Sequence, residues 1–393
     1  MNDSSPPPLR IALSGLATLA LIIGIGRFAF TPVLPMMQSD WGLTLAQGGW
    51  LATANYIGYL VGGLAAMRSP LRPRIAIRIG LLTIMICTVA MAFSQGFAAW
   101  LVLRAVPGFA SAWVMVYASA WVLEKLAEAD RADLGGAVYA GVGIGIVVAG
   151  LTCLAILALG RNSDTAWIAL GVAAFIIVAF VWQVLGDDMM SAGPEARTKG
   201  TARRVPEFWR LVLCYGALGL GYIIPATFLP VMAKQIVSGP IWFGWVWPVF
   251  GAAAALSTLV AAHLGRCVSK PTIWIRSNLI MAAGVLVPIA FPNVIGMAIS
   301  ALCVGGTFMV ITMVGLQEAR SIAGPQARTL MGAMTAAFGI GQIVGPGLVS
   351  SFLHLPNGFS YGLVASAVPL VIASYSLSSH RGNRLDAAAA VTK

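Results

Sequence analysis

The sequence predicts an all-α integral membrane protein of twelve transmembrane helices, arranged as two pseudo-symmetric bundles of six, on three observations. Of its 393 residues 59% are hydrophobic and only 9% charged, against about a quarter charged in soluble domains. The apolar residues fall in continuous runs of roughly 20, the helix length that crosses about 30 Å of hydrocarbon. These runs do not alternate in polarity as barrel strands do. Parts of the first half of the chain also recur in the second at a nearly constant spacing.

The expected spans are 10–37, 43–67, 73–94, 97–124, 134–159, 164–185, 207–234, 240–264, 271–291, 294–318, 327–353 and 358–379. The first apolar run is too long, and too poor in a small-residue cleavage site, for a removed signal peptide. Residues 1–186 form an N-terminal six-helix bundle. The stretch 187–206, with Asp187, Asp188, Glu195, Arg197, Lys199, Arg203 and Arg204, reads as a flexible cytoplasmic linker. Residues 207–393 form the C-terminal bundle with a short cytoplasmic tail.

The net charge is +11, and its distribution matters more than its size. Twenty of the 24 Lys and Arg fall in the loops and helix ends on one side, Arg161 and Lys234 on the other, and Arg27 and Arg104 deep inside spans. That asymmetry places the basic loops and both termini in the cytoplasm. It also sets a nucleic-acid partner aside and leaves the lipid bilayer. The five cysteines, Cys87, Cys153, Cys214, Cys267 and Cys303, stand singly in apolar runs and read as small core residues.

The repeat joins the two halves. Gly24, Gly26, Leu34, Pro35 and Met37 return 195 residues later as Gly219, Gly221, Leu229, Pro230 and Met232, and Gly49–Trp50 as Gly244–Trp245. Gly143 and Gly145 return as Gly339 and Gly341 at a spacing of 196. Within this scaffold Arg27 is replaced by Tyr222. Two parallel repeats about an axis along the membrane normal, with a site between them near midplane, is a transporter plan.

This architecture resembles the major facilitator superfamily, and the run from Gly24 to Pro35 (GIGRFAFTPVLP) is similar to the first-helix signature of its bacterial YbfB/YjiJ-type subfamily. Arg104, Gly108 and Ala112 fit the superfamily's fourth-helix pattern. Gly341, Gly345 and Pro346 are similar to the glycine–proline pattern of its antiporters, displaced here from the fifth helix to the eleventh. The acid of the superfamily's loop between helices two and three is missing around Met67, Arg68 and Pro70, and again around His263, Gly265 and Arg266. The resemblance implies a secondary transporter working by alternating access.

Arg27 sits too deep to reach the interface, and a charge at the centre of a membrane helix costs about 2.5–3.5 kcal/mol, so it should face a cavity or a partner. No Asp or Glu falls within the body of an expected span; Glu124 and Glu318 stand at helix ends. A guanidinium grips a carboxylate or phosphate with two parallel hydrogen bonds, so an anionic cargo follows. The competing reading is that Arg27 caps carbonyls freed by Pro32 or Pro35. Arg104, at comparable depth, is a second candidate cation, though it could instead orient helices or relay protons.

Tyr222, opposite Arg27 in the repeat, is the first of the other candidates. Tyr215 with Tyr222, Asn55 with Tyr59 and Phe338 with Gln342 share helix faces by spacing and could line a cavity or pack between helices. Trp242, Trp245 and Trp247 read as an interfacial belt. Gly24, Gly26, Pro35, Gly108, Gly143, Gly145, Gly341, Gly345 and Pro346 are candidate gating positions, where small residues let packed helices slide. The run from Gly339 to Gly345 lies in an apolar span and has one residue too many for a dinucleotide fingerprint. Three unclustered histidines offer neither a triad nor a zinc site.

The function expected is secondary transport of a small organic anion or zwitterion by a monomer without cofactor or metal, not enzymatic catalysis. The alternatives are a proton-coupled multidrug or metabolite exporter, which would usually hold a membrane carboxylate, and a non-transporting sensor or scaffold.

Overall fold

The computed structural model describes residues 7–184, 205–236, 244–352 and 358–391, and a helix lies in each of the twelve expected intervals. The first interval holds α1 (Pro8–Leu19), a π-helical segment (Ala20–Phe28) and α2 (Phe30–Trp41). There follow α3 (Leu45–Arg68), α4 (Pro73–Met91), α5 (Phe97–Glu128), α6 (Gly135–Ala158) and α7 (Ser163–Val184). The second half has α8 (Val205–Ile236), α9 (Val246–Leu264), α10 (Lys270–Ala290), α11 (Val294–Ala323), α12 (Ala327–Phe352) and α13 (Gly358–Val391). The expected linker lies outside the described residues except where α8 begins, and α13 carries on through most of the tail.

Ten segments among the described residues are long and apolar enough to cross a membrane, one of them, Val294–Val349, containing both α11 and most of α12. α3 has the length, at 24 residues, but carries Asn55, Tyr56 and Tyr59. Asn55 and Tyr59 are buried, so its polarity is turned inward.

Helix ends follow local chemistry. Thr44 and Gln47 form a capping box that starts α3, with bonds of 2.9 and 3.1 Å. Asn293 caps α11 by accepting from the Gly296 N–H at 2.9 Å. Gly42, at φ 65°, ends α2 in the left-handed region that glycine enters freely.

Within the first half α3 and α4 pack on α5, and α6 packs on α1 and the π segment; within the second, α8 packs on α12 and α10 on α11 and α13. The halves meet where α6 lies against α9 and α3 against α12. Phe175, Ile176, Leu213 and Tyr375 stand exposed on the outside, as lipid-facing side chains do. Lipid tails are as apolar as leucine, so close packing of small residues takes the place of hydrophobic collapse.

The tightest packing is between α3 and α5. A Cβ on Gly108 would overlap the Asn55 carbonyl, and one on Gly58 the Ala105 carbonyl. Gly108→Ala is therefore expected to destabilise the fold by about 3 kcal/mol, the upper part of the overpacking range, read as a lower midpoint of thermal unfolding in detergent.

One composition-based reading is corrected. Cys87, Cys153 and Cys214 are buried, but Cys267 is exposed beyond the end of α9 and Cys303 is half-buried; all five are free thiols. Cys267 follows the last apolar turn, where the chain has already left the packed interior.

Candidate functional site

The first helix widens into π geometry over the residues leading to Arg27. In a π-helix each carbonyl is paired with the N–H five residues on; for Arg27 that residue is Pro32, which has none. Donors come from α5 instead. Arg104 Nη1 donates to the Gly26 carbonyl at 3.3 Å and Nη2 to the Arg27 carbonyl at 3.2 Å, while Ser111 Oγ donates to the Ile22 carbonyl at 2.5 Å. Asn55 Nδ2 in turn donates to the Arg104 carbonyl at 2.9 Å. The guanidinium of Arg104 lies over the Phe30 ring at 4.5 Å.

The Arg27 carbonyl, which Pro32 leaves without a donor in the π pattern, is thus served by Arg104, which frees the Arg27 side chain to face across the molecule. Arg27 is 6% exposed. Its Nη2 donates to Gln342 Oε1 at 2.7 Å, and Gln342 Nε2 donates to the Tyr222 hydroxyl at 2.8 Å. The guanidinium carbon lies 3.9 Å from the centre of the Tyr59 ring and 6.0 Å from that of Tyr56, within cation–π range. Its Nε meets no acceptor, and no carboxylate among the described residues pairs with it. Gln342 and Tyr222 are fully buried.

Around this chain runs a ladder of rings from the second half. Trp247 stacks on Phe250 at 5.3 Å between centroids, Phe250 on Phe308 at 5.3 Å, Phe308 on Tyr222 at 5.5 Å and Tyr222 on Phe338 at 5.5 Å. Tyr215 extends it, tilted against Phe338 at 5.5 Å. From the first half Phe28 meets the ladder edge-on, at 6.4 Å from Tyr222, 5.9 Å from Phe308 and 5.8 Å from Trp247.

The structure therefore gathers Arg27, Tyr59, Tyr215, Tyr222, Phe338 and Gln342 into one cluster between the halves, with Asn55 and Arg104 behind it. It does not gather the candidate gating residues. A Cβ on Gly24 would lie 2.5 Å from Gly145 Cα; Gly26 faces Ile84 and Ser111, Gly341 faces Gly216 and Leu220, and Gly345 faces Ile223, each within its own half. Of the seven glycines only Gly143 has its nearest neighbours, Gly251 and Ala255, in the other half. Pro35 and Pro346 lie inside α2 and α12.

A profile of the family described as "Uncharacterised MFS-type transporter YbfB" matches residues 19–377. The chain belongs to this family of the major facilitator superfamily. As a YbfB-type protein it is a multi-pass membrane transporter and not an enzyme. Its fold is similar to the crystal structure of the human organic anion transporter MFSD10 (TETRAN), with a TM-score of 0.72, 16% sequence identity, and coverage of 95% of this chain and 100% of that one. No curated protein sequence matches it.

At the end carrying the basic loops, the YbfB-type chain has a cavity of about 400 Å³ lined by Asp133, Arg266, Lys270, Gln317 and Arg320 among others. The halves touch around it. Arg320 Nη1 donates to the Ala120 carbonyl at 3.4 Å, the Arg328 guanidinium lies 5.2 Å from the Tyr117 ring centre, and Arg266 pairs with Asp133 at 3.5 Å. Asp133 follows α5, so an acid from a different loop bridges the halves in this chain, which lacks one between helices two and three. Both side chains of the pair are partly exposed, at 62% and 32%. Asp133→Asn is expected to change thermal stability by less than about 1 kcal/mol, with the difference vanishing at high salt.

Of the tryptophans expected to form a belt, Trp242 lies outside the described residues and Trp245 is half exposed, but Trp247 is corrected, being buried in the ladder. Two residues apart on a helix they point to opposite sides, a signal the sequence does contain. Phe28, Phe250 and Phe308 are absent from the sequence-based candidates, because nothing in an apolar span separates a site-facing phenylalanine from a lipid-facing one.

Proposed function

We propose that this YbfB-type protein is a secondary transporter that moves a small organic anion or zwitterion across the bacterial inner membrane by alternating access, working as a monomer with both termini in the cytoplasm. Arg27 holds the anionic group, and Gln342 and Tyr222 are the neutral groups it displaces or recruits. The observation that carries this reading is the Arg27 guanidinium, buried at 6% exposure against neutral side chains with no carboxylate among the described residues beside it. A bound anion supplies the missing counter-charge and two parallel hydrogen bonds. Arg104 acts as a positioning group, since both its terminal nitrogens bond to the first helix. The human protein of similar fold is an organic anion transporter, which agrees with this cargo class. The small-residue contact of Gly143 with Gly251 and Ala255 offers the halves a surface on which to rock.

The test is a thermal-shift screen of anions, zwitterions and lipophilic cations on the purified protein, followed by flux of the hits into proteoliposomes. Stabilising hits confined to anions and zwitterions, and carried across the bilayer, are expected. A preference for lipophilic cations would overturn this reading in favour of a multidrug exporter.

A further inference from the structure

We propose that the cargo of this site carries a flat aromatic ring, which takes the place that Phe28 holds in this structure. The inference rests on the anion reading above and names the rest of the molecule attached to the anionic group. The ring ladder belongs wholly to the second half, whereas Phe28 comes from the first and touches Tyr222, Phe308 and Trp247 edge-on, with interplanar angles of 83°, 80° and 61°. A contact across the halves breaks whenever they separate. Alternating access would then leave the face of the ladder open to water unless another group covers it.

That group is adjacent to the anion site. The Arg27 guanidinium carbon is 5.7 Å from the Phe28 ring centre, so one short molecule can reach both. An aliphatic wall would accept any apolar body according to its area alone. Parallel rings present alternating positive edges and negative faces, which favour a further ring in edge-on or offset geometry beyond its area. Phe28 itself shows that the position accepts a ring in that geometry, at 7% exposure.

The experiment measures dissociation constants of the full-length protein by calorimetry for 3-phenylpropionate, 3-cyclohexylpropionate and hexanoate. Wild type, Arg27→Ala and Phe308→Leu are compared. The phenyl acid is expected to bind about two- to twelvefold more tightly than the cyclohexyl acid, the range found for one aromatic pair. Phe308→Leu should remove that ratio while both acids still bind, and Arg27→Ala should weaken both alike. A wild-type ratio of one or less, with binding that depends on Arg27, overturns the ring inference and leaves the anion reading standing. No carboxylate binding, or binding that Arg27→Ala leaves intact, overturns both. A ratio that survives in Phe308→Leu places the ring elsewhere and overturns the inference. Should that variant not fold, the wild-type ratio decides.

Discussion

Arg27→Ala is expected to weaken binding of anionic cargo by roughly ten- to a hundredfold, while the fold's thermal stability changes little. The binding loss follows from the two charged hydrogen bonds the anion gains less the one to Gln342 that it replaces, a net of about 1.5–3 kcal/mol. The small effect on stability follows from two terms that oppose each other. The variant loses the bond to Gln342, in the same range, and the cation–π contact with Tyr59, about 0.5–2 kcal/mol. It regains the burial cost of the charge, about 2.5–3.5 kcal/mol. The losses and the regained burial cost are of the same size, so Arg27 is expected to contribute little net stability to the fold. Arg27→Lys separates charge from geometry: a point charge cannot make two parallel bonds, so recovery of about half the lost binding free energy is expected. The measurements are calorimetric affinity, proteoliposome flux and the unfolding midpoint without ligand. Wild-type affinity in Arg27→Ala would show that the anion is held elsewhere.

The repeat is the most informative sequence signal, because it singles out the one position where the two copies diverge in chemistry. It points to Arg27 and Tyr222 as facing residues, and the structure joins them through Gln342, a residue that helical spacing pairs with Phe338. What spacing cannot supply is the path between them, since Gln342 lies on a helix far away in sequence. The π segment is equally hidden. Its ingredients, Gly24, Gly26 and Pro32, are visible, but a wide turn forms only where neighbouring side chains satisfy the carbonyls it strands, and Arg104 and Ser111 come from α5. The competing sequence reading has Arg27 cap carbonyls freed by Pro32 or Pro35, whereas it is Arg104 that donates to carbonyls of this segment, those of Gly26 and Arg27. The gating glycines show another limit: a glycine announces close approach without saying to which helix. Six of the seven approach a helix of their own half.

Arg104→Ala is expected to do the opposite of Arg27→Ala, lowering stability by about 2–3 kcal/mol and reducing cargo affinity far less once the folded fraction is allowed for. Both arginines are buried to a similar degree, at 6% and 4% exposure, so the burial cost regained on truncation is alike. The kind of acceptor decides the difference. Arg27 bonds to a neutral side chain, whereas Arg104 serves two backbone carbonyls fixed in the first helix, each bond worth about 1.5–3 kcal/mol. Those carbonyls also cannot turn to another partner, as a glutamine side chain can. A second substitution tests the assignment. Pro32→Ala restores an N–H five residues beyond Arg27, where the π pattern needs a donor, and is expected to recover about 1 kcal/mol in the Arg104→Ala background. In the wild-type background, where Arg104 already bonds to that carbonyl, it should recover less. Unfolding midpoints of the four proteins give the coupling directly. If Arg104→Ala instead keeps wild-type stability and loses affinity as Arg27→Ala does, the second arginine touches the cargo, and the site holds two cations for a doubly charged anion.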